Sequence, residues 1–236
     1  MSSAQRCGFG ARTTPVDVAV VTPVYRNRAT LPSLYARVGS VLDQLGKSWN
    51  LVFVNDVCPQ RSIEVMRALA QDDPRVVIVD LDQNVGQARA VLEGLRHVRA
   101  RYVVIMDADL QDPPEAIAKL LVALDANGPR CKVVFAGHRG RYEPWLRWVT
   151  GRVFRTLRGW LFGIPRDAGS FGIICGDALP ALLSLSAPLP HWPLLVGWLK
   201  LPSRSVPVRR HQRHQGESAY SHRKRLRVAA ETFRTW

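Results

Sequence analysis

The chain has only four cysteines in 236 residues, Cys7, Cys58, Cys131 and Cys175, with no Cys-Xaa-Xaa-Cys pair and no zinc-like spacing. That scarcity argues against a disulfide scaffold and a thiolate zinc site; the cysteines read as reduced thiols of a cytosolic protein. The N-terminus lacks the apolar run of a signal peptide, and residues 1–14 read as a disordered lead-in. A spanning helix is missing too. Residues 178–199 contain 22 residues without Asp, Glu, Lys or Arg, a length that would permit a span. Pro180, Pro188, Pro190 and Pro193 interrupt it, however, and each interior proline costs a helix about 3 kcal/mol. The segment therefore reads as a core helix followed by an apolar, proline-rich loop available for lipid contact.

Acidic residues are scarce in the second half. Residues 139–166 hold seven Arg and one Glu, and residues 204–227 hold eight Lys or Arg and one Glu. The rest carries 18 basic and 17 acidic groups, so the net charge of +14 is two local patches. Such patches attract phosphates: nucleotide, nucleic acid or an anionic membrane surface.

What is present is a globular composition, 47% apolar and 22% charged, in a chain long enough for one large core. Val/Ile-rich runs predict strands at Val16 to Thr22, Leu51 to Asn55, Val76 to Leu81, Tyr102 to Met106 and Lys132 to Ala136. Helical patterns lie between them, at 29–45, 62–71, 86–99 and 114–126. Continuous apolar strands alternating with helices predict an α/β fold with a doubly wound, mostly parallel sheet flanked by helices. Beyond residue 138 the pattern changes. Residues 144–162 place Trp and Leu at helical spacing with Arg147, Arg152, Arg155 and Arg158 interleaved. This basic amphipathic helix suits a membrane interface, and it equally suits an ordinary helix packing on the sheet with solvated arginines.

Chemistry concentrates at predicted strand ends. Tyr102 to Met106 delivers Asp107-Ala108-Asp109, followed by Gln111, Asp112 and the helix start Pro113-Pro114-Glu115. In open α/β sheets ligands bind beyond the carboxyl ends of strands. Two carboxylates and an amide oxygen there suit a hard divalent cation shared with substrate phosphates. A helix-capping turn is the alternative for a bare Asp-Xaa-Asp; the intact DADLQDPPE string favours the metal. The first strand ends in Thr22-Pro23-Val24-Tyr25 and the second in Val54-Asn55-Asp56. Three strand ends aimed at one crevice suit a nucleotide, with Asp56 accepting from a base N–H and Tyr25 bordering the ring. Asp56 as a turn-forming residue is the plainer reading. Gly86 would let the chain turn closely past the ligand. Arg209 to Tyr220, rich in arginine and carrying Gly216, suits bidentate phosphate contacts or a solvated basic loop.

The strings VVTPVY (20–25), VNDVCP (54–59), NVGQARAVLEGL (84–95), DADLQDPPE (107–115), IPRDAGSF (164–171) and RHQGESAY (213–220) carry a resemblance. The chain resembles the family 2 glycosyltransferases of the GT-A fold, and within them the dolichol- or polyprenyl-phosphate sugar transferases. The resemblance implies one GT-A domain over 15–236, with a nucleotide- and metal-binding half (15–138) and an acceptor-binding half carrying interfacial helices (139–236). It implies that Pro23, Tyr25, Asp56 and Gly86 hold the donor nucleotide. Asp107, Asp109 and Gln111 would bind Mg²⁺ or Mn²⁺ and the donor diphosphate. Arg139 and Arg152 would meet the acceptor phosphate, and Arg213, Ser218 and Tyr220 would close over both phosphates. Val57-Cys58 stands where the family usually has Gly-Ser, and Ser170 where it usually has Asp.

The expected reaction moves a sugar, with inversion, from a UDP- or GDP-sugar to a lipid phosphate. A hydroxyl acceptor would need a general base, and the region around His191-Trp192-Pro193-Leu194 offers no carboxylate. A phosphate monoester, with a second pKa near 6, is already ionised at pH 7. The missing base and the arginine-rich patches thus both favour a phosphate acceptor. A hydroxyl acceptor with Asp167 or His191 as base is the alternative. Nucleic acid is not an expected partner, because carboxylates lining a groove repel its phosphates. An anionic membrane surface is expected, on the cytoplasmic face, together with a membrane-protein partner or a second copy of the chain.

Overall fold

The computed structural model describes residues 15–138, 163–185 and 191–211. The expected lead-in at 1–14, the amphipathic helix at 144–162, and Arg139, Arg152, Arg213, Ser218 and Tyr220 lie outside them.

The five expected strands form: β1 (Val16–Val24), β2 (Trp49–Asn55), β3 (Val76–Asp80), β4 (Ala100–Ile105) and β5 (Val133–His138). Two more follow, β6 (Ala168–Cys175) and β7 (Ser203–Val208). They complete one sheet in the order β3-β2-β1-β4-β6-β5-β7. The pairings β1–β2, β1–β4, β2–β3 and β5–β7 are parallel. β6 runs antiparallel between β4 and β5, so the sheet is mostly parallel with one reversed strand.

The helices between the strands cover both faces. They are α1 (Leu31–Gln44), α2 (Ser62–Asp72), α3 (Gln87–Leu95) and α4 (Ala116–Asn127), then the short α5 (Leu179–Ser184) and α6 (Trp192–Trp198). Period-2 alternation of β1 separates two cores. Val18, Val20 and Val24 pack with Leu34, Leu42, Phe53, Leu120 and Phe171, whereas Ala19 and Val21 pack with Val54, Leu95, Phe135 and Leu195. Strands buried on both faces explain the unbroken Val/Ile runs. Each fully buried side chain of this size contributes roughly 1.5–3 kcal/mol.

The apolar stretch at 178–199 resolves, among its described residues, into α5 and α6, too short to cross a membrane. Among the described residues no helix is long and apolar enough to do so. Cys58, Cys131 and Cys175 are unbridged.

Candidate active site

Parallel pairing sends the carboxyl ends of β1, β2, β3, β4, β5 and β7 to one edge. Because β6 is antiparallel and pairs Gly172 with Ile105, its first residues project past the end of β4. The same edge therefore gathers Pro23 and Tyr25, Asp56, Asp107 to Gln111, Asp167 to Ser170, and Arg209 to His211.

The loop after β4 is held in an unusual shape. Leu110 has φ +58°, a left-handed conformation that costs a residue with a Cβ roughly 1–2 kcal/mol. Three anchors hold it there. The Leu110 side chain is buried in the core; the Gln111 N–H donates to Asp109 Oδ1 at 3.1 Å; and the Thr30 hydroxyl donates to the Ala108 carbonyl. Strain held by its surroundings in this way is typical of functional loops. Asp109 is only 7% exposed. Asp107, partly exposed, receives Gln87 Nε2 on Oδ1 at 2.6 Å and the Ser170 hydroxyl on Oδ2 at 3.4 Å.

Loss of water to the protein packed around it pushes the Asp107 carboxyl up to about 6, and the charges of Asp109 and Asp112 add to it against the pull of Arg210. A carboxylate pushed up by the charge of its neighbours is relieved by a cation placed beside it. The donor set suits a hard divalent ion: two carboxylates plus the amide oxygen of Gln111. Among the described residues no three His, Cys, Asp or Glu side chains form a cage. A cation at this loop would thus draw further ligands from water and substrate phosphates, the habit of Mg²⁺.

At the other end of the crevice, Asp56 is buried. Its carboxylate accepts the N–H of Val85 at 2.7 Å, the N–H of Gly86 at 2.9 Å and Asn84 Nδ2 at 3.1 Å. Asp56 therefore orders the 84–86 turn, the structural role that an Asp at this place also suits. Gly86 has φ +82°, which requires glycine. Pro23 is buried in β1 and Tyr25 half-buried beyond it, with the Arg26 guanidinium 5.4 Å from the Tyr25 ring centroid.

Gln87 was not singled out in the sequence, nor were the contacts that Ser170, Trp192, Arg210 and Asp167 make at this edge. Gln87 and Ser170 both reach Asp107. Trp192 fixes Ser170 by donating Nε1–H to its carbonyl at 3.1 Å while stacking on Phe135 at 4.9 Å. Arg210 pairs with the buried Asp112, and the His211 N–H donates to the Gln111 carbonyl at 2.8 Å. Asp167 accepts the Ser205 hydroxyl at 2.6 Å.

A profile of "Glycosyl transferase family 2" matches residues 19–179, well over half of the chain. The glycosyltransferase YkcC of Bacillus subtilis, itself described as uncharacterized, is 31% identical over 94% of this chain and 68% of its own length. An undecaprenyl-phosphate 4-deoxy-4-formamido-L-arabinose transferase of Edwardsiella ictaluri is 32% identical over 86% of this chain. The match spans 62% of that relative's length. Among solved structures, a mannosyltransferase of Pyrobaculum calidifontis, in complex with GDP-Man and Mn²⁺, superposes with a TM-score of 0.65 at 19% identity, over 95% of this chain and 66% of that one. The glucosyl-3-phosphoglycerate synthase of Mycobacterium tuberculosis superposes with a TM-score of 0.66 at 18% identity, over 93% of this chain and 78% of that one. These likenesses establish the GT-A fold. The chain belongs to glycosyl transferase family 2 and resembles its polyprenyl-phosphate sugar transferases.

Proposed function

We propose that the chain transfers a sugar, with inversion, from a nucleoside-diphosphate sugar to a polyprenyl or dolichyl phosphate at the cytoplasmic face of a membrane. The observation that carries this reading is the Asp107–Asp109 pair at the carboxyl edge of the sheet, on the loop that turns at the left-handed Leu110. The undecaprenyl-phosphate transferase named above, 32% identical, supports the acceptor class. In this reading Pro23, Tyr25, Asp56 and Gly86 form the wall for the nucleotide. Asp107, Asp109 and Gln111 hold Mg²⁺ or Mn²⁺, which when bound supplies Lewis-acid neutralisation of the departing diphosphate. Arg139, Arg152 and Arg213 orient the acceptor phosphate, with Ser218 and Tyr220 beside the donor. The acceptor phosphate is already anionic at pH 7, so these arginines position a nucleophile and no residue need remove a proton. At an anionic membrane each nearby basic residue contributes about 1 kcal/mol to attachment.

A second reading takes a hydroxyl acceptor. It draws support from Asp167, a carboxylate at the same edge that Ser205 holds by hydrogen bond and that could serve as general base.

The test is nucleoside-diphosphate release from UDP- and GDP-sugars with Mn²⁺ or Mg²⁺, with and without a short polyprenyl phosphate. Release that rises sharply with the lipid phosphate is expected, and Asp109→Ala should abolish it in a folded protein. Release indifferent to the lipid would move the acceptor to the hydroxyl class, and wild-type turnover by Asp109→Ala would sink the metal assignment.

A further inference from the structure

Asp56 and Asp107 close two strands, β2 and β4, that do not touch in the sheet because β1 lies between them. One short stretch of chain nevertheless joins the two carboxylates. Asp56 binds the N–H groups of Val85 and Gly86. Gly86 turns at φ +82° and ψ 154°, and α3 begins at the next residue. That next residue is Gln87, whose Nε2 lies 2.6 Å from Asp107 Oδ1. The turn cannot shift without moving the amide, and Asp56 holds the turn.

We propose that Gln87 is a positioning residue for Asp107, and that Asp56 acts through the 84–86 turn to place it. The inference rests on the reading of Asp107 as a metal ligand. The chemistry of the amide fits the task. A carboxylate with two oxygens and free rotation must be fixed before it can meet a cation in one geometry. A lysine or arginine at position 87 would fix it but would compete with the cation for its charge. A glutamate would repel it. A neutral donor orients one oxygen and leaves the negative charge for the metal. The nucleotide end and the metal end of the crevice are then built by one loop, so that disorder in either propagates to the other.

The test is isothermal titration of Mn²⁺ into the full chain in the presence of UDP and, separately, GDP. Gln87→Met keeps the length of the side chain and removes the donor. Its Mn²⁺ dissociation constant should rise about tenfold, the scale of one charge-assisted hydrogen bond. Its thermal midpoint should stay at the wild-type value, because Gln87 sits partly exposed in the first turn of α3. In an Asp107→Asn background the same change should add nothing, since the partner that Gln87 orients is gone. A Gln87→Met protein that binds Mn²⁺ as the wild type does, or a full additional loss in the Asp107→Asn background, would overturn the positioning role alone. No Mn²⁺ uptake by the wild type with either nucleotide, or undiminished uptake by Asp107→Asn, would remove the metal reading and the positioning role with it.

Discussion

Arg210 closes on Asp112 as a fork, with Nε to Oδ1 and Nη2 to Oδ2, both at 3.1 Å. The Asp112 side chain is 0% exposed and that of Arg210 34%. The pair therefore belongs to the costly class of ion bridges, in which removal of one partner takes the neutralising cation from a buried carboxylate. It also ties the segment after β7 to the loop that carries Asp107 and Asp109. The Lys119 ammonium adds a bond to the Pro207 carbonyl at 2.7 Å.

Arg210→Gln should accordingly destabilise the fold by about 3 kcal/mol. In a domain of this size that lowers the thermal midpoint by about 6–12 °C. Asp112→Asn combined with Arg210→Gln should recover most of the loss, since two amides can bond and no charge is left unpaired. A single variant as stable as the wild type in thermal denaturation would show that the carboxylate finds water.

Gly94 decides how close α3 lies to the sheet. A Cβ there would stand 2.6 Å from Val21 Cγ1 and 2.7 Å from Val54 Cγ2, both on fully buried valines. Alanine gains about 1 kcal/mol of helix propensity over glycine, but overpacking costs about 1–3 kcal/mol, so the clash should win. Gly94→Ala is expected to lower stability by about 1 kcal/mol in urea unfolding. Displacing α3 also displaces Gln87, so the variant should need more Mn²⁺ for half-maximal activity.

The strands that were legible in the sequence are those whose burial is written in their composition. β1, β2 and β4 are apolar runs with both faces covered. β6 opens with Ala168-Gly169-Ser170, and β7 reads Ser-Arg-Ser-Val-Pro-Val with a single buried residue. Their pairing is decided by neighbours distant in sequence, and Pro207 is tolerated because β7 lies at the sheet edge. The site divides the same way. Asp107 and Asp109 were legible because a strand end announces them. The contacts of Gln87, Ser170 and Arg210 were not, because their partners stand 20, 63 and 98 residues away. Asp56 was legible as a strand-end carboxylate, but its hold on the 84–86 turn depends on contacts across 29 and 30 residues.

Val57, 44% exposed, is held at φ +51°, where a β-branched residue is a genuine outlier. The cause is local. Asn55 Oδ1 accepts the Cys58 N–H at 3.2 Å, and Asn55 Nδ2 is itself fixed by Asp80 at 2.7 Å. The turn is thus forced on whatever residue stands between. Glycine would remove about 1–2 kcal/mol of left-handed strain and restore about 0.5–1 kcal/mol of unfolded-state entropy. Val57→Gly should therefore stabilise the chain by roughly 0.5–1 kcal/mol, read as a higher urea midpoint with unchanged slope. A lower midpoint would mean that the valine side chain makes a contact worth more than the strain.

The pKa of Asp107 fixes the sign of a pH effect on metal binding. In the folded apo protein this carboxyl is pushed up to about 6 from its ordinary 3.8, chiefly because the protein around it displaces water and then because Asp109 and Asp112 repel its charge. The folded state therefore holds the proton more tightly than the unfolded chain. That contribution to apo stability is fully present below pH 3.8 and is lost as pH rises through about 6. A cation binds the ionised form, so binding must release whatever proton remains. Mn²⁺ affinity should fall about tenfold for each pH unit below 6 and level off above pH 7. Titrations at pH 5.5 in two buffers of different ionisation enthalpy should count about three-quarters of a proton released per ion bound, and at pH 7.5 almost none. Equal proton release at both values would mean that Asp107 is ionised before the metal arrives, which would take away the carboxylate repulsion on which its fit to a divalent ion rests.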